Sequence, residues 1–159
     1  MAKSLRRIQF LRDCRGGVDL VEFALVLPLF LLLMFALIDL GRYYWIRETV
    51  ESAIRQAGRY AVTGQGSPNR VQSIEQIATN QLAMLQNPTV TVSSCHPDQL
   101  PNFTADSAGN PGDFVKIQIT TTLGFFTPGI ARYFGTNDAT TLTEAVTFRN
   151  ENFLTSTGG

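Results

Sequence analysis

Glu22 is the residue whose chemistry depends most on its neighbours. It stands near the start of an apolar run in which no polar side chain occurs from Phe23 to Ile38. A carboxylate at the centre of a membrane helix costs about 3 kcal/mol, and less towards an interface. Glu22 therefore needs either the headgroup level or a positive partner. Gly16-Gly17, just before the run, offers a route to the second. Hydrolysis of the bond between Gly17 and Val18 leaves an α-amino group four residues before Glu22. Four residues are one helical turn, so the two charges reach each other within a chain or between adjacent helices. With an ordinary pKa of about 8, such an amine is largely charged at neutral pH.

A second set, Cys95-His96 with Asp98, holds a nucleophile, a base and metal-ligand types. Adjacent residues in a proline-containing loop are poorly placed for a catalytic triad, which needs partners arranged in space. One Cys and one His fall short of a structural zinc set. His96 is the sole histidine, and no glycine-rich phosphate loop or paired-carboxylate motif occurs. The expectation is a non-enzymatic protein with no catalytic residue, cofactor or metal. Cys14 and Cys95 lie on opposite sides of the apolar run, which leaves Cys95 either buried or bridged to another chain.

The element that must position Glu22 is a helix. Val18 to Ile38 spans about 30 Å at about 1.5 Å per residue, the thickness of a bilayer's hydrocarbon core. The seventeen residues before it carry Lys3, Arg6, Arg7, Arg12 and Arg15 against Asp13. Basic residues beside a span stay cytoplasmic, which puts the N-terminus inside and the bulk of the chain outside. The chain is formally neutral, with thirteen basic and thirteen acidic residues. Loss of the leader would leave eight basic against twelve acidic residues and no outer basic cluster, so no nucleic-acid partner is expected. Pro28 removes one backbone donor within the span and favours a bend there. Tyr43, Tyr44 and Trp45 follow the run as an interfacial aromatic belt.

Beyond the belt, Ile46, Val50, Ala53, Ile54, Ala57 and Ala61 recur at three- and four-residue spacing, with charges on the other faces. This amphipathic stripe extends the helix to Val62 before Gly64-Gln65-Gly66. The organisation reads as a leader (1–17), a transmembrane helix (18–41), a helical stalk (42–63) and a head (64–159). In the head, Ser67-Pro68 marks the start of a second helix reaching Asn87-Pro88. Strands are expected at Thr89–Val92, Phe114–Thr120 and Leu142–Arg149, with a loop from Ser93 to Asp113 and a short helix around Ile130 to Phe134. Phe125, Phe126, Tyr133 and Phe134 read chiefly as core. The fold class is α+β: a long N-terminal helix packed on a small head with a three-stranded antiparallel sheet.

Glycine followed by glutamate at the fifth position of a shortened chain resembles the processing site of type IV pilin-like proteins. The wider run Glu22-Phe23-Ala24-Leu25-Val26-Leu27-Pro28, then Asp39-Leu40-Gly41-Arg42, Glu51-Ser52-Ala53 and Ala57-Gly58-Arg59-Tyr60-Ala61, resembles the TadE-like minor pilins of the Tad pilus system. The resemblance covers roughly Arg15 to Thr63. It implies cleavage by a prepilin peptidase after Gly17, with Val18 as the new first residue and Glu22 and Phe23 serving assembly. It also implies other Tad pilins and the inner-membrane assembly platform as partners, and a single-pass inner-membrane protein with a periplasmic head that supports adhesion and biofilm formation. The competing expectation is an uncleaved, signal-anchored envelope protein with a periplasmic binding domain.

Overall fold

The structure, a computed structural model, describes residues 14–66, 68–127, 132 and 139–153, with side chains from residue 17 onward. One helix dominates it. α1 (Cys14–Val62) runs unbroken for 49 residues, including Pro28. That is about 74 Å at about 1.5 Å per residue. Gly64, at φ +71°, ends it: the left-handed turn lets the Gly64 amide donate to the Ala61 carbonyl at 3.2 Å.

The head follows as α2 (Arg70–Gln81), β1 (Thr89–Cys95), a short 3-10 turn at Pro97–Gln99, β2 (Thr104–Ala105), β3 (Phe114–Gly124) and β4 (Ala139–Arg149). The strands form one antiparallel sheet in the order β2-β1-β3-β4. The class is α+β, as expected, but the sheet has four strands and not three. β2 pairs only Ala105 and Thr104 with Ser93 and Ser94. Two exposed residues carry no alternation, so the expected loop from Ser93 to Asp113 conceals them.

α2 is also shorter than its apolar pattern suggests. It begins at Arg70 and ends at Gln81, where Leu82 donates its amide to the Thr79 carbonyl. Leu82 is nevertheless fully buried, and Leu85 packs against the core from the turns that follow. Burial, not helicity, continues the spacing there. Ser67 and the expected helix around Ile130 to Phe134 lie outside the described residues, apart from helical Arg132.

Both helices cover one face of the sheet, α1 against β3 and β4 and α2 against β1. The stripe of α1 is the centre of the core: Val50, Ala53, Ile54, Ala57 and Ala61 are completely buried, and Ile46 nearly so. They meet Val92, Val115, Ile117, Ile119, Leu123 and Leu142 from the sheet and Ile74, Ala78 and Leu82 from α2. Thr121 shares this face, and its hydroxyl donates to the Gln86 carbonyl at 3.0 Å, which satisfies a polar group inside the core. Cys95 is buried too, and its thiol donates to the His96 carbonyl at 3.2 Å.

The edge strand β4 is held to α1 at two places. Arg47 of the helix lies 3.4 Å from Glu144, and the Phe148 ring sits where a side chain at Gly58 would stand. Alanine at position 58 gains about 1 kcal/mol of helix propensity, whereas overpacking costs about 1–3 kcal/mol. Gly58→Ala is therefore expected to destabilise the head. In a Phe148→Ala background, where the ring is gone, the same change is expected to stabilise it. Denaturant unfolding of the four proteins of this cycle measures both signs.

Candidate functional site

The first half of α1 stands clear of the head. Val18 and Phe23 are 66% and 63% exposed, and Leu20, Leu25, Leu29, Phe30 and Leu37 are also bare. None of the most apolar window of α1 is covered by the rest of the described residues. A helix apolar on every side has no stable place in water, so lipid or other helices must cover it. Within this surface Glu22 is exposed, and no hydrogen bond or ion pair reaches it from the described residues. Gly17 lies inside α1, near its start, and space beyond its Cα is open. Gly16 and Gly17 are adjacent residues of low intrinsic helix preference.

The second feature is Asp39, whose contacts its neighbours in sequence do not disclose. It closes the apolar run, between Ile38 and Leu40, which are 44% and 46% exposed. Its own exposure is 1%. The reason is the segment after β3. The Phe126 amide donates to one carboxylate oxygen at 3.1 Å and the Thr127 amide to the other at 2.8 Å. Arg42, one turn along α1, comes within 4.0 Å of the same carboxylate, donates to the Gly124 carbonyl at 3.3 Å, and lies 4.7 Å from the centre of the Phe126 ring. Charge-assisted bonds to paired backbone donors are among the stronger neutralisers of a desolvated carboxylate. Asp39 thus fastens the end of the apolar run to the head. The available sequence signal was an acid at the end of an apolar run with a base three residues on.

Arg70 is the fastening at the opposite end. It donates to the Gly109 carbonyl at 2.6 Å and to the Ala61 carbonyl at 2.9 Å, and stacks 4.6 Å from the Phe153 ring. Desolvation by burial lowers its pKa from the ordinary arginine value, partly offset by Tyr60. Nearby, Asn150 donates to the Ala108 and Asn110 carbonyls, and the Glu151 amide reaches the Val62 carbonyl at 3.1 Å. The chain past β4 therefore closes the C-terminal end of α1.

Of the aromatic cluster, Phe125 is half-buried against the core, but Phe126 is 68% exposed, contrary to a core role. Its side chain points away because its backbone is turned towards Asp39. Tyr133 and Phe134 lie outside the described residues. Of the expected belt, Tyr44 and Trp45 are exposed, but Tyr43 packs against the core. Cys95 and His96 do not act on each other through their side chains: the imidazole lies 3.4 Å from Asp98, and the thiol bonds to a carbonyl.

Comparison with known proteins agrees with this division of α1. The family model described as TadE-like protein matches residues 17–59, from the exposed glycine through the apolar run and most of the stripe. No curated protein and no solved structure matches the chain. Residues 17–59 are thus similar to the TadE-like family, and the described head is an α+β unit packed on the second half of α1.

Removal of the Asp39 carboxylate leaves two amides without their acceptor, at about 1–3 kcal/mol for an unsatisfied group. Asp39→Ala is expected to lower head stability by about 2 kcal/mol or more, with Asp39→Asn, which keeps one acceptor, losing less. Thermal unfolding in detergent, read from the near-ultraviolet signal of the head, checks the order.

Proposed function

We propose that this chain is a minor pilin, or pseudopilin, that takes part in assembling a Tad pilus and so supports adhesion and biofilm formation. The observation that carries the reading is the extent of the TadE-like match: residues 17–59 take in both the uncovered apolar half of α1 and most of the stripe that the head buries. A prepilin peptidase acts after Gly17 in this reading, with Val18 becoming the first residue. Adjacent glycines favour it, since a protease requires locally extended backbone and each glycine costs the helix about 1 kcal/mol relative to alanine.

The mature helix is anchored in the inner membrane with its N-terminal side cytoplasmic and its head periplasmic. Its partners are other Tad pilins and the assembly platform, and its role is structural, not catalytic. Glu22, exposed beside Phe23 on a helix that other helices can reach, pairs with the α-amine of a neighbouring subunit. That pairing offsets the cost of either charge in lipid.

The decisive experiment is mass analysis of the N-terminal peptide from membrane-extracted protein, in cells with and without prepilin peptidase. A peptide starting at Val18 only when the peptidase is present is the expected result. An intact leader in both strains would replace this reading with that of an uncleaved, signal-anchored binding protein. Glu22→Gln is expected to be processed and inserted normally while failing to support pili. Normal piliation in that variant would remove the charge-pairing step.

A further inference from the structure

We infer that the head is seated on the membrane through Phe126, whose ring enters the headgroup layer and the top of the acyl chains. The inference rests on the membrane-anchor reading above, and its geometry comes from Asp39. The Phe126 amide is 3.1 Å from the Asp39 carboxylate, so the two residues share one depth along α1. Asp39 follows the apolar run directly. If that run occupies the hydrocarbon, position 39 lies at its edge, and Phe126 lies there with it.

The surface at this level has the composition of a lipid contact. Phe126 is 68% exposed although it belongs to the head, and Ile38 and Leu40 beside Asp39 are exposed as well. The Arg42 guanidinium stands 4.7 Å from the Phe126 ring centre, and its side chain is 38% accessible, which leaves donors for lipid phosphate. Exposed Tyr44 and Trp45 lie about 8 Å and 9 Å further along the helix at about 1.5 Å per residue, where amphipathic rings favour an interface. The occupant is a lipid surface because exposed Leu37, Ile38 and Leu40 carry the uncovered apolar surface of α1 up to the level of Phe126.

The test uses the full chain in vesicles of phosphatidylcholine and phosphatidylglycerol brominated near the top of the acyl chains. In a Trp45→Phe background, single tryptophans are placed by Phe126→Trp, by Leu29→Trp within the run, and by Gln72→Trp. Gln72 is exposed in the first turn of α2, whose Arg70 binds the Ala61 carbonyl at the other end of the stalk. Bromine is expected to quench the tryptophan at 126 at least half as strongly as that at 29, and to leave that at 72 unchanged. Quenching at 29 but not at 126 overturns the seat and leaves the anchor standing. Quenching at neither overturns both. Equal quenching at 72 and 126 also overturns the seat, since the head would then meet lipid without orientation. In the unaltered chain, a lipid carrying a photoactivated carbene source at the same depth is expected to label the Phe126 peptide and not the β1 peptide; the reverse would overturn the seat independently of any substitution.

Discussion

The structure depends on how one carboxylate is satisfied. Asp39 stands where an all-apolar helix becomes a helix with one apolar stripe, and it is buried there. A desolvated, unpaired carboxylate is far too costly to persist in a marginally stable domain. Two backbone amides from the head meet it, at 3.1 and 2.8 Å. The acid that would weaken the helix as an isolated span thereby becomes the point at which the head is fixed to it.

That fastening sets the register of everything above it. β3 runs along α1 in the opposite direction, and its two ends meet the helix at defined places. Phe148, paired with Val115 of β3, rests on Gly58, whereas Gly124 accepts a bond from Arg42 and leads directly to the amides on Asp39. Sixteen helical residues separate Gly58 from Arg42, about 24 Å at about 1.5 Å each. Nine strand steps separate Val115 from Gly124, about 30 Å at about 3.3 Å each. The strand is the longer of the two, and the extended Arg42 side chain bridges the difference to the Gly124 carbonyl. The buried stripe between them fills the length so defined. Arg70 and the residues after β4 close the far end: the Ala61 carbonyl accepts from Arg70 as well as from the Gly64 amide, and the Val62 carbonyl accepts from the Glu151 amide.

What the sequence discloses follows from which forces act locally. Ile46 to Ala61 is legible because one face of one helix is buried continuously, and burial writes a 3.6-residue period. The alternation of Phe114 to Thr120 is legible for the same reason in a half-buried strand, although β3 continues to Gly124. Leu82 and Leu85 mislead because the core demands apolar residues past the last turn of α2. β2 is invisible because two exposed residues bonded to β1 gain nothing from side-chain pattern. Asp39 was visible as a residue but not as a contact. Its partners are amides 87 and 88 positions away, and backbone donors carry no side-chain signature. Phe126 is hidden in the same way: its neighbours in sequence are apolar, but its backbone is committed to Asp39 and its ring is exposed.

Two acids near the ends of one apolar run are thus treated in opposite ways. Asp39 is satisfied within the chain, by amides that no change of partner can withdraw without unseating the head. Glu22 has no partner among the described residues and stands exposed on a surface that those residues do nothing to cover. Were Glu22 only a solvated residue at a membrane boundary, its position would place no demand on any other molecule. In the filament reading it does place one, because an apolar helix that leaves lipid must be covered by other helices, and an acid among them must then be paired. A satisfied acid near the head and an unsatisfied one near the N-terminus divide the labour of α1. One end holds the subunit's own fold together, and the other is left to be completed by a neighbour.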